Sequence, residues 1–133
     1  MITKLAELSI TPVIFARLLQ NEIEAGMPLV RAMRRVRNLV VATLIERDLS
    51  GKADLSEVLE TISRFADFAV QTHVTALHAE LVEAHGTPFG DESGQEQHMI
   101  VLGMGKLGGY ELNVSSDIDL IFIYPEDGET RTT

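Results

Sequence analysis

Eight of the ten glycines lie between Gly86 and Thr133, and the 85 residues before them hold only Gly26 and Gly51. Glycine loosens regular structure and marks tight turns or close backbone approach, so the chain changes character at one place. The first part carries its apolar residues three and four apart, which predicts helices. Thr11-Pro12 reads as an N-cap with proline at the first helical position, opening a short helix that fades near Gly26. From Pro28, Leu29, Met33, Val36, Val40 and Leu44 form one stripe ending near Asp48–Gly51. Asp54 with Glu57 makes an aspartate version of the capping box. Leu55, Val58, Leu59, Ile62, Phe65, Ala66, Ala69, Ala76 and Leu77 then carry a third helix to His85, with Gly86 and Pro88 as stop signals. That helix should run about 45 Å at ~1.5 Å per residue.

Beyond it, Thr87–Gln97 is polar and glycine-bearing and reads as a surface loop. Met99, Ile100, Val101 and Leu102 read as a short strand of the fully buried kind. Gly103–Gly109 carries four glycines, and Ser115–Tyr124, SSDIDLIFIY, reads as a second strand. Glu126–Thr133 is polar with no ending signal, so the chain looks cut. The expectation is an α+β chain, with a helical region over 1–86 and the first strands of a small mixed sheet over 87–133.

At 133 residues with 45% apolar and 23% charged residues, the chain is long enough for one core. It should bury roughly two thirds of its unfolded surface. The absence of cysteine excludes a disulfide framework, a thiolate nucleophile and any cysteine-based zinc site. It also fits a reducing compartment, with the cytoplasm as the default expectation. No membrane span or export signal is evident. A formal charge of −9 disfavours nucleic acid over most of the surface. It leaves nucleotide chemistry open where a cation or a nest of N–H groups reverses the local field.

Gly103–Gly108 is a literal GxGxxG after an apolar strand, the opening of a dinucleotide-binding turn. That reading needs a crossover helix of at least ~10 residues before the next parallel strand. Only the eight residues Gly109–Ser116 intervene, several of them turn formers. A Walker loop fits worse, because Leu107 follows Lys106 where a hydroxyl residue is required. The competing reading has the glycines admit phosphate oxygens while the next strand supplies metal ligands. On a strand, Asp117 and Asp119 project to the same side, roughly 6.6 Å apart at Cα, with Ile118 and Leu120 toward the core. Such carboxylates repel unless a hard cation such as Mg²⁺ lies between them. The plainer reading is that they cap a turn at a solvent-facing strand start.

Gly105–Phe122, GKLGGYELNVSSDIDLIF, resembles the signature of the glutamine synthetase adenylyltransferase family, whose members also remove adenylyl groups. More broadly, a Gly-Gly turn followed by Asp-apolar-Asp resembles the nucleotidyltransferase (DNA polymerase β-like) superfamily. The seven residues between Gly109 and Asp117 are fewer than that superfamily usually has, which leaves the role of Gly109 open. The resemblance covers Leu29–Asp127 and implies a fragment of a protein several times longer, so 87–133 would begin a catalytic domain. It implies two such domains per protein, an N-terminal one that removes AMP and a C-terminal one that adds it from ATP. Met104, Asn113, Pro125, Glu126 and Asp127 resemble the first, as do the arginine-bearing helix and His85-Gly86-Thr87-Pro88.

The implied chemistry is Mg²⁺-dependent attack of phosphate on the AMP esterified to a glutamine synthetase tyrosine, giving ADP. Asp117 and Asp119 would hold the metal. Gly108 and Gly109 would offer N–H groups to phosphate or only form a turn. Ser116 would contact phosphate or start the strand, and Lys106 would pair with phosphate or stay solvated. A third carboxylate would arrive on a later strand. Glutamine synthetase and PII signalling proteins are the implied partners, and a purely docking role is the alternative. Arg31, Arg34 and Arg35 cluster opposite the apolar stripe with Arg37 beside it, either as a phosphate or partner patch or as a solvated face. Tyr110, Phe122 and Tyr124 flank the site, either against an adenine or simply packed. His73 reads as a core histidine. His73, His78 and His85 lack the i, i+4 spacing of a helical metal pair, so no zinc site is expected.

Overall fold

A computed structural model describes residues 5–113 and 116–132, and the chain is α+β. Among the described residues, helices α1 (Pro12–Glu24), α2 (Leu29–Leu49) and α3 (Leu55–His85) precede β1 (Thr87–Gly90), β2 (Ile100–Met104), a single turn α4 (Gly105–Gly108), β3 (Asp119–Ile123) and β4 (Gly128–Arg131). Their ends fall where the local chemistry puts them. Pro12 occupies the start of α1, although the Thr11 side chain makes no capping bond. At α3, Asp54 Oδ1 accepts from Glu57 N at 2.8 Å, so half of the expected capping box forms. The Glu57 carboxylate is taken instead by Arg47, with Nε to Oε2 at 2.9 Å and Nη2 to Oε1 at 3.0 Å. Arg47 is 4% exposed, and its Nη1 also donates to Ala6 O at 2.9 Å. Planar guanidinium geometry suits this two-pronged pairing and explains why a charge is tolerated inside.

The apolar stripes meet as the spacing predicts. Phe15 of α1 packs edge-on against Phe65 of α3, centroids 5.3 Å apart, and Met33, Val36, Val40 and Leu44 of α2 close the layer. Only the first half of α3 is buried, at Thr61, Ile62, Ser63 and Phe65; Leu77, placed on the stripe by sequence, is 55% exposed. Two leucines from the glycine-rich part, Leu107 and Leu112, complete the core. Burying a leucine contributes about 2 kcal/mol, so these two fasten the turn to the helices.

The strands form two antiparallel pairs, β1 with β4 and β2 with β3. Strand β1 lies in the stretch expected to be surface loop, and β4 in the polar tail. Neither has the apolar alternation that signals a strand, because the pair packs against little else and its side chains are mostly exposed or half-buried. Strand β2 is also not fully buried: Ile100 is 45% and Leu102 42% exposed. Among the described residues it pairs with β3, and its Val101 and Gly103 line a cavity against α3. In the register Ile100↔Ile123, Leu102↔Ile121 and Met104↔Asp119, one sheet face looks away from the helices. Strand β3 begins at Asp119, not near Ser115. Beyond Met104 the partner chain turns into α4, so residues before Asp119 have no ladder to join; Ser115 itself lies outside the described residues.

Candidate functional site

The glycine-rich turn is built by backbone. Gly105 sits at φ +57°, a region that suits glycine, and opens α4 directly after β2. A Cβ on Gly108 would stand 2.8 Å from Gly103 O, so backbone passes backbone too closely for a side chain. The turn then closes on itself: Gly109 N donates to Gly105 O at 3.1 Å and Glu111 N to Lys106 O at 2.8 Å. The Gly109 N–H is therefore engaged within the turn. Lys106 is exposed.

Two side-chain clamps join this turn to α3. Ser63 Oγ, fully buried, accepts from Leu112 N at 3.1 Å. Tyr110, at φ +55°, donates its hydroxyl to Asp67 Oδ2 at 3.0 Å. The Asp67 carboxylate beside the phenol pushes Tyr110 above its ordinary pKa, so it stays protonated. Arg64 lies 5.8 Å from the centre of the same ring. Arg64 and Asp67, with Val101, Gly103, Leu107 and Leu120, line a cavity of about 480 Å³ between α3 and the sheet.

The antiparallel pairing of β2 with β3 removes the dinucleotide reading, since that turn leads into a parallel strand through a full helix and α4 is a single turn. The same pairing sets Asp119 opposite Met104, the residue immediately before the turn. Asp119 is exposed and shares the open sheet face with Leu102 and Ile121. Leu120, on the other face, packs against the helical core as expected, while Ile118 is 40% exposed.

Asp117 precedes the strand, so no ladder fixes its direction relative to Asp119. It lines a separate cavity of about 300 Å³ with Arg37, Leu112, Asn113 and Ser116. Ser116 belongs to a turn: its N–H donates to Asn113 O at 3.2 Å and its Oγ accepts from Asn113 N at 3.1 Å. As donors, Asp117 and Asp119 fit a hard cation: both are exposed carboxylates, one of them directly beside bare backbone. Phe122 and Tyr124 are 57% and 67% exposed, and the Tyr110 hydroxyl is committed to Asp67. Of the arginines, Arg35 pairs with Glu22 at 3.0 Å, while Arg37 is the one that reaches the Asp117 cavity. His73 is half-buried rather than a core residue.

The fold also assembles a group that spacing did not reveal. His78 of α3 meets Glu96 and His98 from the β1–β2 connection, their ligand atoms all within 4.8 Å of one another. Helical spacing of histidines is a signal within one element; this cluster draws on two.

The family model described as glutamate-ammonia ligase adenylyltransferase matches residues 2–133. Proteins named bifunctional glutamine synthetase adenylyltransferase/adenylyl-removing enzyme are similar to most of the chain. That of Ralstonia nicotianae is 54% identical over 108 residues, covering 81% of this chain and 11% of the relative. That of Chromobacterium violaceum is 56% identical over 108 residues, 81% of this chain and 12% of the relative. That of Neisseria meningitidis serogroup A is 52% identical over 102 residues, 77% of this chain and 11% of the relative. The chain thus spans about a tenth of the length of these curated relatives.

Proposed function

The chain belongs to the glutamate-ammonia ligase adenylyltransferase family, and from that premise we propose that Gly105–Ile123 is the nucleotide-handling edge of a domain that removes AMP from an adenylylated tyrosine of glutamine synthetase. The observation that carries this reading is the register Met104↔Asp119, which sets a carboxylate alongside the bare-backbone turn. Asp117 and Asp119 are the proposed ligands of Mg²⁺, which when bound offsets charge on the phosphoryl oxygens. The proposed phosphate contacts are Lys106, Ser116 and Gly108, whose missing side chain lets the turn pack against Gly103 O. Gly109 serves to close the turn, because its N–H is used there. A phosphate oxygen bonds to the α-phosphorus of the AMP group, the bond from phosphorus to the tyrosine oxygen breaks, and ADP leaves. The tyrosine oxygen takes up a proton.

Removal is preferred over addition from ATP because Met104, Asn113, Pro125, Glu126 and Asp127 resemble the adenylyl-removing copy. Glutamine synthetase is the proposed partner, PII-type proteins the proposed regulators, and the cytoplasm the proposed compartment. Among the described residues, no helix is long and apolar enough to cross a membrane.

The test is phosphate-dependent ADP release from adenylylated glutamine synthetase by a longer protein carrying this segment. Asp117→Asn and Asp119→Asn should each lower the rate by about a hundredfold or more, the scale of losing one charge-stabilising contact. Unchanged rates would overturn the assignment. Loss of AMP addition with removal intact would move the segment to the opposite reaction.

A further inference from the structure

His78, Glu96 and His98 lie at the far end of β2 from Asp119, about 13 Å along the strand at ~3.3 Å per residue. His78 Nε2 stands 3.8 Å and His98 Nε2 3.7 Å from Glu96 Oε1, and the two imidazole rings are 4.7 Å apart. These separations are too long for hydrogen bonds. The two imidazole–carboxylate distances are close to the roughly 3.4 Å between ligand atoms on a tetrahedral ion with bonds of about 2.0–2.1 Å. Closing on a metal shortens the two carboxylate–imidazole separations by a few tenths of an ångström and a pair at the 4.8 Å limit of the group by about 1.4 Å, a move within the reach of side-chain rotation.

A second observation points the same way. His78 Nε2 is buried without a hydrogen-bond partner, and so is Gln97 Oε1; His78, Gln97 and His98 line one cavity of about 370 Å³. A buried polar atom left unpaired is destabilising, and a metal bond to His78 Nε2 would give it a partner. The backbone carrying the other two ligands is already fixed. Gln97 N donates to Pro88 O at 2.9 Å, Gly90 N donates to Gln95 O at 2.9 Å, and Glu96 bridges to Phe89.

We propose that His78, Glu96 and His98 form a site for a zinc-class divalent metal, which ties the exposed half of α3 to the connection leading into β2. Two imidazoles and one carboxylate suit zinc, cobalt or nickel, whereas Mg²⁺ prefers an all-oxygen set. Three protein ligands leave a fourth position to water. The site is independent of the Asp117–Asp119 reading, because the two differ in residues, place and metal class.

Zinc titrated calorimetrically into the untagged, metal-stripped protein should bind one ion per chain, and Co²⁺ in its place should give the intense visible absorption of four-coordinate cobalt. His98→Gln and Glu96→Gln should each weaken zinc binding by about tenfold or more, since even indirect partners of metal ligands act on that scale. His98 is exposed, so thermal melts of the metal-free variant and wild type should coincide, and zinc should raise the midpoint only for the latter. Asp117→Asn should bind zinc normally, and excess Mg²⁺ should leave the zinc in place. Absence of stoichiometric binding, equal affinity in His98→Gln, or loss of zinc in Asp117→Asn would each overturn the proposal.

Discussion

Arg47 and Gly108 show how single residues set the conditions for the site. Arg47 holds Glu57 and three further oxygens, those of Ala6, Ser9 and Lys52, in a pocket with almost no solvent. The Arg47 guanidinium keeps the Glu57 carboxyl below its ordinary value of 4.5. A depressed folded-state pKa contributes stability that is present above the unfolded value and fades as the pH falls through the folded one. Denaturant unfolding should therefore show a loss below about pH 4.5 that Arg47→Met lacks, because no cation remains to favour the ionised Glu57. At pH 7, Arg47→Ala should lower stability by about 3 kcal/mol, as expected when one partner of a buried pair is removed. Gly108→Ala should cost about 1–3 kcal/mol by driving a methyl into Gly103 O, measured as a lower unfolding midpoint. Gly108 was legible from sequence as one of a run of glycines. The role of Arg47 was not, because nothing in an exposed-looking ERDL tail indicates that its partners arrive from residues 6, 9, 52 and 57.

At the scale of elements, the helices were readable and the strands only partly. Period and caps are local properties, so α1, α2 and α3 begin and end close to where Thr11-Pro12, Pro28 and Asp54 placed them. Strands β1 and β4 depend on a partner some 40 residues away and expose most of their side chains, which removes the alternation that would mark them. The same dependence sets the start of β3: pairing ends where β2 runs out at Met104, so Asp119 opens the strand and Asp117 falls outside it. Asp117 lines a cavity with Leu112, which the core and Ser63 hold in place. Ser63→Ala should leave the Leu112 N–H buried and unpaired, costing about 1–3 kcal/mol. Amide hydrogen exchange should then quicken at Leu112 before it quickens in α2.

The molecule as a whole is a helical layer that fastens a glycine turn and leaves one sheet face open. Leu107 and Leu112 join the core on the helix side, and Ile100, Leu102, Met104, Ile121 and Ile123 remain 40–45% exposed on the other. Asp119 belongs to that open side by register, beside the turn. The central claim is that Asp117 and Asp119, despite lying on different kinds of backbone, converge on one hard cation there. Its most direct measurement is Mn²⁺-induced broadening of amide resonances, recorded in a His98→Gln background so that the histidine cluster does not compete. The account predicts broadening centred on Met104–Gly108 and Ser116–Leu120, abolished equally by Asp117→Asn and by Asp119→Asn. Broadening that survives either substitution, or that is centred away from the glycine turn, would contradict it.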